Sequence, residues 1–392
     1  MEMTSKFRHE AFLADTYKRF PVQIVRGKGS LVYDEKGKEY IDFNSGIAVN
    51  TFGMCDDEWI AAVTAQMQKF QHTSNLFYNN PAADLAEQLC MRTGAKRVFF
   101  SNSGAEANEC ALKIAKKYAL YKRGEGNHTI ISMYGSFHGR TIATLAATGQ
   151  EVLHDDFLPM PERFIYVRPN DTMGLNKAMN ENGVAAVIAE IVQGEGGVKP
   201  LEQAYLKSIE AFCRQKGAVF IIDEVQTGNG RTGSLFAYEQ YGLKPDVVTT
   251  AKGLGGGLPI GATLIFNKVE DVLTQGSHGS TFGGNPLACA GALSILNRID
   301  DDLLADVRKK SKYLIDKFRD AEGVNFVTGL GLMLGIDTKL PVADILDNCI
   351  SLGVLPIRAK EKIRILPPLN IPFDLLEKGT DLLLKAIRGE HA

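Results

Sequence analysis

The chain has 392 residues, 45% hydrophobic and 23% charged, enough to bury a large core and to divide into two domains. A net charge of −2 offers no global field for nucleic acid or an anionic membrane, and neither partner is expected. The N-terminal MEMTSKFRHE lacks the apolar stretch of a secretory signal, and no run approaches the roughly 18 apolar residues of a membrane span. Six scattered cysteines show no metal-ligand spacing, so the expectation is a cytoplasmic protein with free thiols and no metal centre.

In chain order, Gly29 to Phe43 partly alternates apolar and polar residues around Asp34-Glu35-Lys36-Gly37, which reads as a hairpin. Short apolar, β-branched runs then follow in series: Arg97–Ser101, Thr129–Met133, Arg163–Val167, Ala185–Ile191, Ala218–Asp223, Asp246–Thr250 and Ala262–Phe266. Continuous apolar runs suit strands buried on both faces. Helical stretches lie between several of them, such as Ala105–Tyr121 and Gln203–Gln215. This alternation predicts an α/β fold with a mostly parallel seven-stranded sheet in a large domain, residues 51–285. Beyond Pro286, Leu287–Leu296 and Asp302–Phe318 read as helices, and Asn325–Ile336 and Ile363–Leu366 as extended chain. Residues 1–50 and 286–392 are expected to form a smaller α+β domain.

Ligands of such sheets gather at the carboxyl ends of the strands, so chemistry is sought there. The Arg97–Ser101 run leads into Asn102-Ser103-Gly104-Ala105 before a helix, a turn whose free N–H groups could hold a phosphate. A plain helix cap is the commoner use of such residues. The Ala218–Asp223 run ends in an acid, which is costly to bury unless paired with a metal, a cation or a protonated ring nitrogen. The next run ends in Ala251-Lys252-Gly253, followed by further glycines, placing a lysine across the same crevice. His138 could be a catalytic base, although a hydrogen-bonded structural histidine is commoner, and Phe137 could be core or a flat surface for a cofactor ring. Arg140 and Arg364 would be ordinary surface or ion-paired arginines unless they converge as carboxylate clamps. Gly228–Gly233 fits G-x-G-x-x-G, but it lies deep in the chain and opens no predicted helix, so a dinucleotide fingerprint is rejected.

Eight segments in order resemble the class III aminotransferases of pyridoxal 5′-phosphate (PLP) fold type I. They are Ser101–Asn108, Phe137–Thr141, Val192–Glu195, Ile222–Gly228, Gly230–Gly233, Ala251–Gly257, Pro259–Ala262 and His278–Pro286, and the resemblance extends from Gly27 to about Pro368. It implies that Lys252 carries the cofactor as a Schiff base and that Asp223 keeps its pyridine nitrogen protonated. It further implies that Gln226 bonds the ring hydroxyl, that Phe137 and Val225 sandwich the ring beside His138, and that Ser103, Gly104 and Ala105 hold the phosphate. By the same resemblance, Thr281 serves the neighbouring subunit's cofactor in a homodimer with shared active sites.

For the substrates, the resemblance assigns Arg364 to the α-carboxylate of glutamate or 2-oxoglutarate and Arg140 to the other carboxylate. Glu195 would mask Arg364 for donors whose reacting carbon bears no carboxylate, and Glu190, Tyr78 and Ser280 complete the expected substrate site. The expected reaction moves the δ-amino group of N2-acetyl-L-ornithine to 2-oxoglutarate. Succinylornithine, ornithine and 4-aminobutyrate are alternative donors; a non-transaminating PLP enzyme and a non-catalytic α/β scaffold are remoter readings. The family's Gly-His-x-His-Pro is replaced here by Gly53-Met54-Cys55-Asp56-Asp57, near the expected substrate entrance, and the proline that usually follows the position of Glu190 is Ile191.

Overall fold

The protein is described by a computed structural model, which covers residues 5–181 and 183–392. Seven strands form the main sheet: β1 (Arg97–Ser101), β2 (Thr129–Met133), β3 (Phe164–Val167), β4 (Val184–Glu190), β5 (Val219–Asp223), β6 (Val247–Thr250) and β7 (Gly261–Ile265). Their spatial order is β1-β7-β6-β5-β4-β2-β3. β7 runs antiparallel to both its neighbours and all other pairings are parallel. The carboxyl ends of the six co-directional strands and the start of β7 therefore share one edge, where Ser103, Glu190, Asp223, Lys252 and Gly261 fall.

The apolar runs divide between the two faces with the period of two that a strand imposes. In β5, Val219 and Ile221 join one core cluster, and Phe220 and Ile222 the other. The first cluster is closed by helix α1 (Gly104–Arg123), through Ala111, Ile114 and Ala115. Asp223 is next in the odd series, so its side chain emerges on the α1 side. Glu224 emerges opposite: its carboxylate accepts the Tyr238 N–H and the Thr227 hydroxyl, bracing the loop between them.

A four-stranded antiparallel sheet holds Val324–Leu330, Met333–Thr338, Lys362–Ile365 and Ile357–Ala359 in that order. The Asn325–Ile336 stretch, read as continuous extended chain, is thus two strands reversing at Gly331 (φ +57°). The hairpin expected near Gly29–Phe43 pairs Leu31–Asp34 with Glu39–Asp42, and Ile41 of its second strand lies beside Val354. N- and C-terminal segments thereby share one sheet and one core, which includes Ile41, Phe43, Leu314, Ile336 and Ile363. Helix Pro286–Asn297, expected in the smaller domain, instead sends Cys289, Ala292 and Ile295 into the core of the large sheet. A boundary after this helix suits the packing better than one at residue 286.

Residues 45–48 join the two bodies through a left-handed turn, with φ of +45°, +66°, +63° and +63° at Ser45, Gly46, Ile47 and Ala48. Each non-glycine residue there costs about 1–2 kcal/mol. The surroundings hold the turn in place. Asp42 Oδ1 accepts the Asn44 and Ser45 N–H groups, Ser45 Oγ donates to Leu366 O at 2.6 Å, and Thr51 Oγ1 donates to Gly253 O at 2.7 Å. The turn is thus tied both to the strand bearing Arg364 and to the residue after Lys252, and it delivers Val49 to the cavity described next.

Candidate active site

A cavity of about 410 Å³ opens at the shared strand edge. Every residue expected in the site lines it except Arg364, Tyr78, Ser280 and Thr281. Arg364 touches two lining residues from the smaller sheet: its Nη1 lies 2.8 Å from Glu195 Oε1 and 3.2 Å from Gln226 Oε1. It is only 2% exposed, and its Nε has no hydrogen-bond partner among the described residues. Tyr78 is fully exposed at 106% and Thr281 is exposed as well, both away from the cavity within this chain. Ser280 sits at its margin, where its Oγ accepts from Asn102 Nδ2 at 3.2 Å.

At the start of α1 the plain cap and the phosphate turn prove compatible. Ser103 Oγ accepts the Glu106 N–H, and the Glu106 carboxylate reaches back to the Asn102 N–H, a reciprocal capping arrangement. The early N–H groups of a helix have no intrahelical acceptor, which leaves those of Gly104 and Ala105 for an anion. A Cβ on Gly104 would lie 2.6 Å from Val225 Cγ1, so only glycine lets the turn approach the residue expected to cover the cofactor ring.

Asp223 is buried and held by three donors. Its Oδ2 accepts from Asn108 Nδ2 at 2.7 Å and from His138 Nδ1 at 2.8 Å; its Oδ1 accepts the Val225 N–H at 3.0 Å. A carboxylate only accepts, so His138 Nδ1 carries the proton. The two oxygens offer about four lone-pair sites, and the one left over is on Oδ1. Beside it, Glu190 accepts the Phe137 and Gly194 N–H groups through its two oxygens, and burial raises its carboxyl above the ordinary range. Arg140 is exposed at the rim, with its guanidinium carbon 5.5 Å from the centre of the Phe137 ring.

Lys252 follows β6 with φ of +45°, a conformation that costs energy in any non-glycine residue. Burial, and then the charge of Arg364, lower its ammonium below the ordinary lysine value. The neutral amine, the nucleophilic form, is favoured accordingly.

Two readings change at this level. The Met54–Asp57 departure does not border the main cavity. Asp56 caps helix Asp57–Met67 by accepting the Trp59 N–H and pairs through both oxygens with Arg298, so its segment is an anchor lining a side cavity of about 160 Å³. Asn108, not singled out from sequence, proves central. Its signal was a buried amide on a helix face otherwise made of Ala107, Ala111 and Ala115, where a polar side chain needs partners.

These residues fit PLP: a helix turn free to take phosphate, a fixed carboxylate with one acceptor site to spare, and a lysine biased towards its neutral amine. The match with the class-III aminotransferase family runs over residues 12–387, and the chain belongs to that family, whose members are PLP-dependent enzymes of fold type I. Among particular proteins, the chain is 48% identical to acetylornithine aminotransferase of Haemophilus ducreyi, covering 96% of each. It is 45% identical to that of Methanocaldococcus jannaschii, covering 95% of this chain and 94% of the relative. Among solved structures it resembles the N-acetylornithine aminotransferase of Stenotrophomonas maltophilia K279a (TM-score 0.83, 39% identity, 95% and 96% covered). The ornithine aminotransferase of Toxoplasma gondii ME49 gives a TM-score of 0.93 at 31% identity, with 97% and 93% covered.

Proposed function

We propose that the chain transfers the δ-amino group of N2-acetyl-L-ornithine to 2-oxoglutarate, giving N-acetylglutamate 5-semialdehyde and glutamate, a step of arginine biosynthesis. The observation that carries this reading is the 2.8 Å Arg364–Glu195 pair beside the cavity, in a chain whose relatives include acetylornithine aminotransferases at 48% and 45% identity. The δ-carbon of acetylornithine bears no carboxylate, so a masked Arg364 suits the donor. An unmasked one suits glutamate.

When bound, PLP supplies an electron sink for the bond-breaking at the substrate carbon. Lys252 Nζ would hold it covalently and would carry the proton at the reacting carbon. Asp223 Oδ1 would hold the proton of the ring nitrogen, Gln226 would bond the ring hydroxyl, and Phe137 and Val225 would flank the ring beside His138. Ser103, Gly104 and Ala105 would hold the phosphate. Arg140, at the rim, takes the far carboxylate of either substrate, while Glu190 keeps the Phe137 backbone in place.

Support for a homodimer comes from exposed Leu76, Phe77, Tyr78 and Phe282, an apolar group around the loop bearing Ser280 and Thr281. In a second copy that loop would meet the site across the interface, the place assigned to Thr281. A cytoplasmic setting accords with six unpaired cysteines, four of them buried. Among the described residues no helix is long and apolar enough to cross a membrane.

Ornithine is the second reading, favoured by the higher TM-score to the Toxoplasma enzyme. A donor panel of acetylornithine, succinylornithine, ornithine, lysine and 4-aminobutyrate, with 2-oxoglutarate as acceptor, decides between them. The expected result is the highest kcat/KM for acetylornithine; a higher value for free ornithine would transfer the assignment. Glu195→Gln removes the charge that masks Arg364. Because Glu195 is 38% exposed, the effect is modest: selectivity should shift towards α-amino acids by about fivefold to tenfold. Unchanged donor preference would dispose of the switch.

A further inference from the structure

We infer that Asn108, braced by Thr249, is a positioning residue that fixes Asp223 relative to the phosphate turn and so sets how firmly the cofactor's two ends are gripped. The inference rests on the proposed placement of PLP between Ser103–Ala105 and Asp223.

Asn108 lies just over one helical turn into α1, the helix whose first residues form the phosphate turn. It is 1% exposed, and its hydrogen-bonding groups are in use. Nδ2 donates to Asp223 Oδ2 at 2.7 Å and to the His138 carbonyl at 2.8 Å, while Oδ1 accepts from Thr249 Oγ1 at 2.7 Å. Turning the amide over would set its oxygen against a carboxylate and a carbonyl, and its NH2 against the Thr249 hydroxyl. The carboxylate and the carbonyl, which only accept, therefore decide which way the amide faces, and the Thr249 hydroxyl, free to donate, braces the amide oxygen.

The arrangement follows from strand periodicity. Asp223 and Thr249 are register partners on β5 and β6, and both continue the odd series that faces α1, after Ile221 and Val247. One side chain on α1 can thus reach both strand ends at once. It links four elements: the helix that offers N–H groups to phosphate, the strand that ends in Asp223, β6 through Thr249, and the β2 exit carrying Phe137 and His138. With Oδ2 occupied by Asn108 and His138, the spare site of Oδ1 is left for the ring nitrogen. Without Asn108 the carboxylate keeps only His138 and the Val225 N–H, loses its tie to α1, and its plane is held less firmly. The titratable neighbours of Asp223 are Glu190 from β4, His138 from the β2 exit and Lys252 after β6, none of which ties it to α1.

The test uses purified holoenzyme and PLP itself as the probe. Two quantities are read: the dissociation constant of PLP for the stripped protein, and the pH at which the bound cofactor's long-wavelength absorption band gives way to its short-wavelength band. Asn108→Ala is expected to weaken PLP binding about tenfold or more, the range for losing a hydrogen bond to a buried charged group. It should also raise the spectral midpoint by about one pH unit, because a ring nitrogen that loses its proton no longer repels positive charge at the lysine–cofactor linkage. Thr249→Val, nearly isosteric, should move both quantities the same way by less. Thr249→Ser, which keeps the hydroxyl, should restore both. A purely structural role would lower thermal stability and leave the spectral midpoint in place.

Wild-type values in both Asn108→Ala and Thr249→Val, in a protein whose native form binds PLP, would overturn the inference. Should Asn108→Ala fail to fold, the contrast between valine and serine at position 249 decides alone. A native protein that binds no PLP would overturn the functional proposal first, and this inference with it.

Discussion

Lys252→Ala is expected to lower kcat/KM for amino transfer by about 10⁴-fold or more, since one amine serves both as the covalent anchor and as the proton carrier. Cofactor binding should survive in weakened form, because the phosphate turn and Asp223 are untouched. Steady-state kinetics with acetylornithine and 2-oxoglutarate check the first point, and absorbance titration with PLP checks the second. Activity within tenfold of the native enzyme would mean that another group does this work.

Asp223→Asn should cost about 10²–10³-fold in kcat, comparable to removing a preorganised electrostatic partner elsewhere. The size of the effect follows from which oxygen is replaced. Two donors, Asn108 Nδ2 and His138 Nδ1, converge on Oδ2, whereas only the Val225 N–H reaches Oδ1. The amide will keep its oxygen at the Oδ2 position and turn its NH2 to the Oδ1 position. A donor then stands where the ring nitrogen needs an acceptor. Because the new side chain has the same shape and keeps both bonds at Oδ2, folding stability should fall by only about 1–3 kcal/mol, mostly from the Val225 N–H left facing a donor. Thermal denaturation of the stripped proteins separates that loss from the catalytic one.

Much of the large sheet was legible because its strands are short, apolar and bounded by turn residues. β1 and β2 fall on the expected residues, and the other five lie within one residue of expectation at each end. The reversed direction of β7 was not legible, since a buried apolar run carries no sign of direction. The left-handed turn at residues 45–48 was hidden for a different reason. Ser-Gly-Ile-Ala has no local preference for that conformation, which is held by distant partners such as Leu366.

The candidate site divides in the same way. Asp223, Lys252 and the Ser103–Ala105 turn stood out because a strand end followed by an acid, a lysine or a Ser/Gly turn is itself a chemical signal. Asn108 did not, because its importance comes from strands more than a hundred positions away in sequence. Tyr78 and Thr281 lie outside this chain's own cavity, where only a second copy could give them the expected roles. Asp56 shows another limit of the sequence: that it is a helix cap with an arginine partner depends on Arg298, far away in the chain.

Borohydride reduction of the native holoenzyme, followed by peptide mass mapping, tests most directly whether the lysine and carboxylate at this strand edge grip a PLP ring. The expected result is loss of the visible absorption band and one phosphopyridoxyl group on the peptide containing Lys252. Label on a different lysine, or an active enzyme with no label at all, would contradict the assignment.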